Sequence, residues 1–307
     1  MIVRPPPTFL QLLYVTRGSV VPKILPQLGL TAAFAALVVL FHEHYPALVP
    51  SFAGVPFALL GIALSVFLGF RNNACYDRWW EARKQWGEMI SVCRSFGRQT
   101  LVLEDGTDAA AKCRRDLLTD AILFVHALAI HLRPGRPSDP SRSEFDPRLH
   151  SDLADVANRP EAILRRASQR LALLNREGQV SDVMYQTLDR SVAQLGGVQA
   201  ACERIRTTPL PFAYSLLLHR TAYLFCFLFP LGFADSLGWL TPFCSVLVAY
   251  TFFGLDALGV ELENPFDNTA HAIPLSAMAR TIEISLLEAM GEKNVPAVLQ
   301  PSEFVLM

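Results

Sequence analysis

Residues 61–87, GIALSVFLGFRNNACYDRWWEARKQWG, change from an apolar to a charged composition within one uninterrupted helical pattern. The first ten residues carry no charge, whereas the next seventeen hold three tryptophans, three arginines, a lysine and two acids. Helical ion pairs and interfacial tryptophans (Trp79, Trp80 and Trp86) suit a segment at and beyond a membrane surface. The stretch therefore predicts a transmembrane helix that continues out of the bilayer into water.

The composition of the whole chain also indicates a membrane protein. Of 307 residues, 51% are hydrophobic and only 18% are charged, whereas soluble domains carry about a quarter charged residues. A net charge of -1 argues against a nucleic-acid partner, because binding to phosphates requires a basic excess. The six cysteines form no CxxC pair or metal-ligand spacing, so we expect free thiols. No cleavable signal peptide is evident in the first 23 residues.

Uncharged runs locate the membrane spans. The runs are Ile24–His42, His44–Phe70, Thr221–Ala234 and Ser236–Leu255. A spanning helix needs roughly 20 apolar residues, so the third run is short and would have to recruit Leu216–Leu218 while Arg220 extends toward the interface. Four spans are the simplest prediction.

The basic residues predict the orientation of the spans. None lies between Ile24 and Phe70 or between Thr221 and Ala279, so the positive-inside rule places both termini and the long middle segment in the cytoplasm of an inner-membrane protein. The predicted divisions are a cytoplasmic segment 1–23, spans one and two in 24–70, a cytoplasmic helical domain 71–210, spans three and four in 211–258, and a cytoplasmic segment 259–307.

The middle segment has the periodicity of soluble helices. Apolar residues recur at helical spacing in residues 108–132, and again in 161–174 and 183–205. Residues 133–160 are rich in Pro, Asp and Ser and indicate a loop. Because no strand alternation is evident, we predict an all-α fold.

Two rows of residues follow the second span. Small residues recur by three or four and form a seam that suits close helix packing in lipid: Gly54, Ala58, Gly61, Ser65 and Gly69. A bulkier row, which we call the neck row, consists of Ile62, Val66 and Phe70 and covers about 12 Å of helix. Spacing alone allows the neck row to face a partner helix, lipid or a symmetry axis, where several copies would form a hydrophobic constriction.

Three motifs resemble those of the bestrophin ion-channel family, in its prokaryotic type. The first is the signature after Phe70, with Arg71, Asn72, Asn73, Asp77, Arg78, Trp79 and Trp80. The second is Arg17-Gly18-Ser19-Val20 with Lys23, and the third is Glu263-Asn264-Pro265-Phe266 after the last span. They occur in the family's order and cover nearly the whole chain.

The resemblance implies a homopentamer around one central pore, with four spans and a large cytoplasmic helical domain in each subunit. It also implies a pore neck lined by three apolar residues of the second span, which fall on Ile62, Val66 and Phe70. A cytoplasmic aperture would fall near Val180, with Val183 as the alternative because the intervening loops align loosely.

The resemblance further implies a passive channel for monovalent ions rather than an enzyme. Calcium-activated members follow Asn-Pro-Phe with a dense acidic run, but here Asp267 is the only acid in DNTAHAIP. Calcium requires six to eight oxygen ligands, so we expect no metal and no cofactor. The prokaryotic type implies a preference for cations, and an anion channel of the same fold is the alternative. The expected partners are further copies of the chain, lipid and permeant monovalent ions.

Two other functional classes are weighed against the channel. A secondary transporter would favour broken helices and charges at the membrane midplane, for which Pro230 and Asp235 give slight support. A membrane enzyme needs a convergent catalytic set, and the sequence offers none.

Several titratable residues near the predicted membrane surfaces have open roles. His42 and His44 flank Glu43 at the outer end of the first span, as a metal or proton site or as a water-exposed cluster. The acids Asp256, Glu261 and Glu263 end the fourth span. They would either pair with the basic residues after Phe70 or form a vestibule that attracts cations.

Overall fold

The computed structural model describes residues 1–5, 8, 14–16, 18–45, 54–104, 108–133 and 156–306. The α-helices in these residues are α1 (Val21–His44), α2 (Gly54–Gln99), α3 (Asp108–Leu132), α4 (Arg159–Arg176), α5 (Asp182–Thr207), α6 (Phe212–Leu237), α7 (Thr241–Glu263) and α8 (Leu275–Ala289). Within the described ranges the only β-structure is two isolated bridges, Ile2 with Val305 and Ser302 with Val305. The all-α prediction agrees with this architecture.

The chain divides into two compact units. The apolar unit consists of Arg4–Trp79 and Pro209–Asn264, and the polar unit consists of Met1–Val3, Trp80–Thr208 and Pro265–Met307. The division falls within α2, between Trp79 and Trp80.

Three helical segments of the described chain are long and apolar enough to cross a membrane. They are Val21–His44, Gly54–Leu103 and Phe212–Glu263. The last of them contains two helices, α6 and α7, which are joined by the 3-10 turn Gly238–Leu240. These helices are about 39 Å and 35 Å long, so each can cross about 30 Å of hydrocarbon.

Helices α6 and α7 form an antiparallel hairpin within the apolar unit. The rings of Phe225 and Phe252 lie 5.2 Å apart between centroids, and the Thr241 hydroxyl donates to the Phe233 carbonyl at 3.4 Å. Phe225 and Phe252 are about equally far in sequence from the turn, as expected for an antiparallel pair. Helix α6 exceeds the uncharged run Thr221–Ala234, because the helix begins at Phe212 and includes Arg220.

Part of the small-residue seam brings α2 close to α6. A Cβ added at Gly54 or at Gly61 would lie 3.0 Å from the ring of Phe233 or of Phe225, respectively. Ala58 and Ser65, by contrast, are exposed, and an added Cβ at Gly69 would meet open space. The seam therefore contacts α6 closely at Gly54 and Gly61.

The polar unit is built around α3. Its buried face includes Leu117, Leu118, Ile122 and Leu128, and this helix packs against α4 and α8. The predicted helix 108–132 matches α3 at both ends. In the predicted loop 133–160, residues 134–155 lie outside the described part of the chain, and α4 already begins at Arg159, capped by the Asn158 side chain, which accepts from the Glu161 N–H at 3.2 Å.

Candidate functional site

The neck row is an uncovered apolar surface on α2. Ile62, Val66 and Phe70 are 63%, 50% and 60% exposed. Leu64 and Leu68, on the same helix, are 2% and 0% exposed and pack into the core with residues of α6 and α7. At about 100° of rotation per residue, the neck row lies on the side of α2 opposite this packed face.

Such a row faces lipid, another protein surface or a hydrophobic passage. Soluble surfaces expose large apolar residues singly, whereas a contiguous apolar row marks an interface or a lipid contact. Polar residues follow on the same side of α2, where Asn73 and Asp77 are exposed. The row thus ends where the helix becomes polar.

Arg71, directly after Phe70, lies in a buried group of charges inside the apolar unit. It has no exposed surface, and its Nη1 donates to Asp256 Oδ1 at 2.6 Å. Its Nη2 lies 3.5 Å from Glu263 Oε2, and Asp256 Oδ2 lies 2.5 Å from His219 Nδ1. These pairs support an ion-pair role for the acids that end the last span.

Glu261, the third acid near the end of α7, pairs with α1 rather than with α2. Glu261 is 5% exposed, and its Oε1 forms an ion pair with Lys23 of α1. Lys23 belongs to the N-terminal motif, in which Gly18 has a φ of 78°, a left-handed conformation that favours glycine. The Ser19 hydroxyl accepts from the Val21 N–H at 3.2 Å. Arg17 of the same motif lies outside the described residues.

The Asn-Pro-Phe motif follows α7 directly. Before it, the Glu263 carbonyl accepts from Arg78 Nε at 2.7 Å, and Asn264 is exposed. After it, in the polar unit, Phe266 is buried and its carbonyl accepts from Arg133 Nε at 2.7 Å.

Several oxygens of the motif and of the loop after it accept hydrogen bonds. The Arg133 guanidinium also donates to the Ile273 carbonyl, and the Pro265 carbonyl accepts from the Ile273 N–H at 2.9 Å. The Asp267 carboxylate accepts from the Asn268 N–H at 2.7 Å.

The tryptophans of the signature do not share one environment. Trp79 stacks on Tyr76, with ring centroids 6.5 Å apart and planes 22° apart, and Trp80 is 46% exposed. Trp86 has no exposed surface and packs inside the polar unit. Its expected role as an interfacial anchor is therefore wrong, because helical rotation turns it into the core.

The two aperture candidates differ sharply in exposure. Val180 is 4% exposed, and its carbonyl accepts from Asn175 Nδ2 at 3.2 Å. Val183 is 72% exposed in the first turn of α5. Ser181 caps this helix, so its first turn directs Val183 outward while Val180 packs beneath.

The end of the apolar unit that holds His42 and His44 shows no metal-binding group in the part that the structure describes. His42 Nε2 lies 3.4 Å from Asp235 Oδ1, whereas His44 Nδ1 contacts the Leu40 carbonyl of its own helix at 3.0 Å. Among the described residues no three His, Cys, Asp or Glu side chains lie close enough to hold a metal ion.

Sequence reasoning missed two residues of the buried charge group, His219 and Gly259. An added Cβ at Gly259 would lie 2.7 Å from Asn72 Oδ1, so a larger residue there would force the end of the Asn72 side chain to move. One signal was present in the sequence: the spacing of three and four residues places Asp256, Gly259 and Glu263 on one face of α7. That shared face could have indicated Gly259.

The comparisons with known proteins agree along the whole chain. The sequence profile described as "Bacterial/Fungal Bestrophin protein" matches residues 1–288. The voltage-dependent anion channel-forming protein of Mesorhizobium japonicum is 44% identical over 303 residues, which cover 99% of this chain and 96% of that protein. The protein of the same description from Escherichia coli K12 is 39% identical over 303 residues, or 98% of each.

A solved structure has the same fold. The bacterial bestrophin homolog from Klebsiella pneumoniae superposes with a TM-score of 0.80 at 35% identity, covering 88% of this chain and 100% of that one. The profile match and these identities over nearly full lengths confirm the resemblance of the three motifs. The chain belongs to the bacterial/fungal bestrophin family.

Proposed function

We propose that the protein is the subunit of a passive ion channel in which the neck row lines the narrowest apolar part of the pore. The observation that carries the proposal is the exposure of Ile62, Val66 and Phe70 on the side of α2 opposite its packed face. Relatives described as channel-forming proteins support a channel rather than an enzyme.

The pore would form between copies of the chain. A single chain leaves the neck row uncovered, and a homopentamer would bring five rows around one axis. Four spans, with α6 and α7 each crossing once, and cytoplasmic termini complete the proposed arrangement in the inner membrane. The antiparallel α6–α7 hairpin and the distribution of basic residues support it.

The neck would act on hydration rather than on charge. Apolar rings of small radius resist wetting, so ions cross them only when water fills the constriction. Side chains of this type set the size and the hydration of the passage and leave the sign of the permeant ion to charges elsewhere.

The burial of the two candidates favours Val183 over Val180 as the aperture residue, because an aperture side chain must reach the pore. The Klebsiella pneumoniae homolog has been solved with substitutions at a leucine, at an aspartate two residues later and at the isoleucine that follows it. The same spacing occurs here: an apolar residue, Val180, is followed two positions later by an aspartate, Asp182, and then directly by a second apolar residue, Val183. The isoleucine then corresponds to Val183.

We propose anions as the conducted ions. The expected preference for cations is not supported, because relatives 38–44% identical to this chain are described as anion channel-forming proteins. The anion alternative fits these descriptions better.

The deciding experiment is the reversal potential of purified protein in planar bilayers under a KCl gradient. A value near the chloride equilibrium potential is expected, and a value near that of potassium would refute the anion assignment. Absence of any conductance from an assembled oligomer would refute the channel itself. Saturable, coupled uptake into liposomes would instead indicate a transporter.

A further inference from the structure

Three helices of the apolar unit meet at the residue that follows the neck row. The Arg71 guanidinium from α2 contacts two carboxylates of α7, at 2.6 Å from Asp256 and 3.5 Å from Glu263. His219 of α6 lies 2.5 Å from the other oxygen of Asp256. We call these four residues the Arg71 cluster.

The burial of the cluster makes its geometry hard to change. The Arg71 side chain has no exposed surface and the Asp256 side chain has only 10%. A buried charge that leaves its partner loses the attraction that offsets its desolvation. The guanidinium is therefore confined to a position between the two carboxylates.

A fixed Arg71 also fixes the direction of Phe70. Successive side chains on an α-helix are separated by about 100° of rotation, so α2 cannot turn without moving both. Two further contacts hold α2 against α7, one next to Arg71 and one about two turns further along α2. Gly259, between the two carboxylates on α7, lets Asn72 approach closely, and Arg78 donates to the Glu263 carbonyl at 2.7 Å.

We propose that Arg71 is a positioning residue for the neck, which keeps Phe70 and the rest of the neck row turned toward the pore axis. The inference rests on the proposed channel function. It assigns Asp256 and Glu263 to holding the pore helix rather than to attracting ions.

The test compares two carboxylates of α7, one of which pairs with a residue of α2 and the other with a residue of α1. Asp256→Asn removes the closer partner of Arg71, whereas Glu261→Gln removes an equally buried carboxylate that pairs with Lys23 of α1. Each variant loses one negative charge, so a purely electrostatic effect on ions would appear in both. Single-channel conductance is the readout, because it does not depend on how much protein folds.

We expect Asp256→Asn to raise the conductance at least twofold, because a released α2 lets the Phe70 ring leave the axis and widens the constriction. Glu261→Gln should leave the conductance unchanged. Equal changes in both variants, or a change in neither, would overturn the proposal. If Asp256→Asn does not assemble, Glu263→Gln takes its place in the comparison with Glu261→Gln. Glu263→Gln removes the more distant partner of Arg71 and retains the shorter Arg71–Asp256 pair.

A second measurement separates this inference from the channel proposal. In a background with all three neck residues changed to alanine, the neck no longer limits conductance, so Asp256→Asn should add nothing. An additional twofold change in that background would show that the cluster acts elsewhere. A neck variant that conducts like the wild type would refute the proposed neck and, with it, the positioning role of Arg71, whereas a more conductive neck variant together with an unchanged Asp256→Asn would refute the role of Arg71 alone.

Discussion

Replacing Gly259 with alanine tests how closely α2 and α7 must approach. The added Cβ would lie 2.7 Å from Asn72 Oδ1, and 3.3 Å and 3.4 Å from Nη1 and Cζ of Arg71. Restoring ordinary contact with the amide oxygen requires a displacement of about 0.7 Å. Overpacking of a dense interior costs about 1–3 kcal/mol, which exceeds the ~1 kcal/mol that alanine gains over glycine in a helix. We therefore expect a net loss of stability of up to about 2 kcal/mol.

The same displacement should also reduce ion flow. The neck row lies opposite the packed face of α2, so a push from α7 moves it toward the proposed pore axis and narrows the constriction. The control is Gly254→Ala on the same helix, where the added Cβ would find its nearest neighbour, Ile24 Cδ1, at an ordinary 3.9 Å. A double variant that combines Gly259→Ala with Asn72→Ala removes the closest atom and should recover most of the loss.

Thermal unfolding in detergent and single-channel recording measure the two effects. Gly259→Ala should lower both the midpoint of unfolding and the conductance, while Gly254→Ala should leave the conductance unchanged and raise the midpoint slightly. If the two alanine variants behave alike, the close approach of α2 and α7 has no energetic consequence and the reasoning fails.

Three further outcomes are expected. Changing the whole neck row to alanine should widen and wet the constriction and raise the single-channel conductance; unchanged currents would place the main barrier elsewhere. Val183→Thr should alter conductance with little effect on stability, whereas Val180→Thr should lower the unfolding temperature because it buries a hydroxyl; the reverse pattern would restore Val180 as the aperture residue. Micromolar calcium should leave the currents unchanged, because Asp267 is the only acid in DNTAHAIP after Asn-Pro-Phe and calcium requires six to eight oxygen ligands; a steep activation curve would contradict this.

Periodicity predicted most of the helices because their apolar faces are continuous in sequence. Helix α3 is the clearest case, since its buried residues recur at helical spacing over 25 residues. The full length of α6 was harder to predict from the sequence. Arg220 ends the uncharged run but not the helix, because backbone hydrogen bonding continues regardless of side-chain charge.

The neck row could be found from spacing, but its environment could not. Ile62, Val66 and Phe70 repeat every four residues, a pattern that is the same for a core, a lipid face or a pore. Only the packing of Leu64 and Leu68 on the other side shows that this row is left uncovered.

The buried charges depend on contacts that are distant in sequence. Pairing with the basic residues after Phe70 is one of the two roles that the sequence predicts for the acids at the end of α7, but Arg71 and Asp256 are separated by 185 residues, so spacing alone does not identify the partner. The aperture residue could not be chosen from sequence either, because Val180 and Val183 are both valines and lie only three residues apart. The start of α5 at a serine cap determines which of the two is exposed.

Selectivity requires a charge that the neck itself does not provide, and Asp77 is the nearest candidate on the same side of α2. Arg71 is neutralised by its carboxylate partners, whereas Asp77 is exposed about two turns beyond Phe70. A carboxylate there favours cations, so in an anion channel it would oppose conduction. A unit charge about 8 Å from a hydrated ion changes its free energy by about 0.5 kcal/mol, with opposite signs for chloride and potassium, so the ratio of their permeabilities changes roughly fivefold. Asp77→Asn should therefore increase chloride permeability relative to potassium about fivefold, with Glu261→Gln as the control that removes a buried, paired charge. A reversal potential that does not move would show that Asp77 lies away from the ion pathway, and selectivity would then arise at the mouths of the pore.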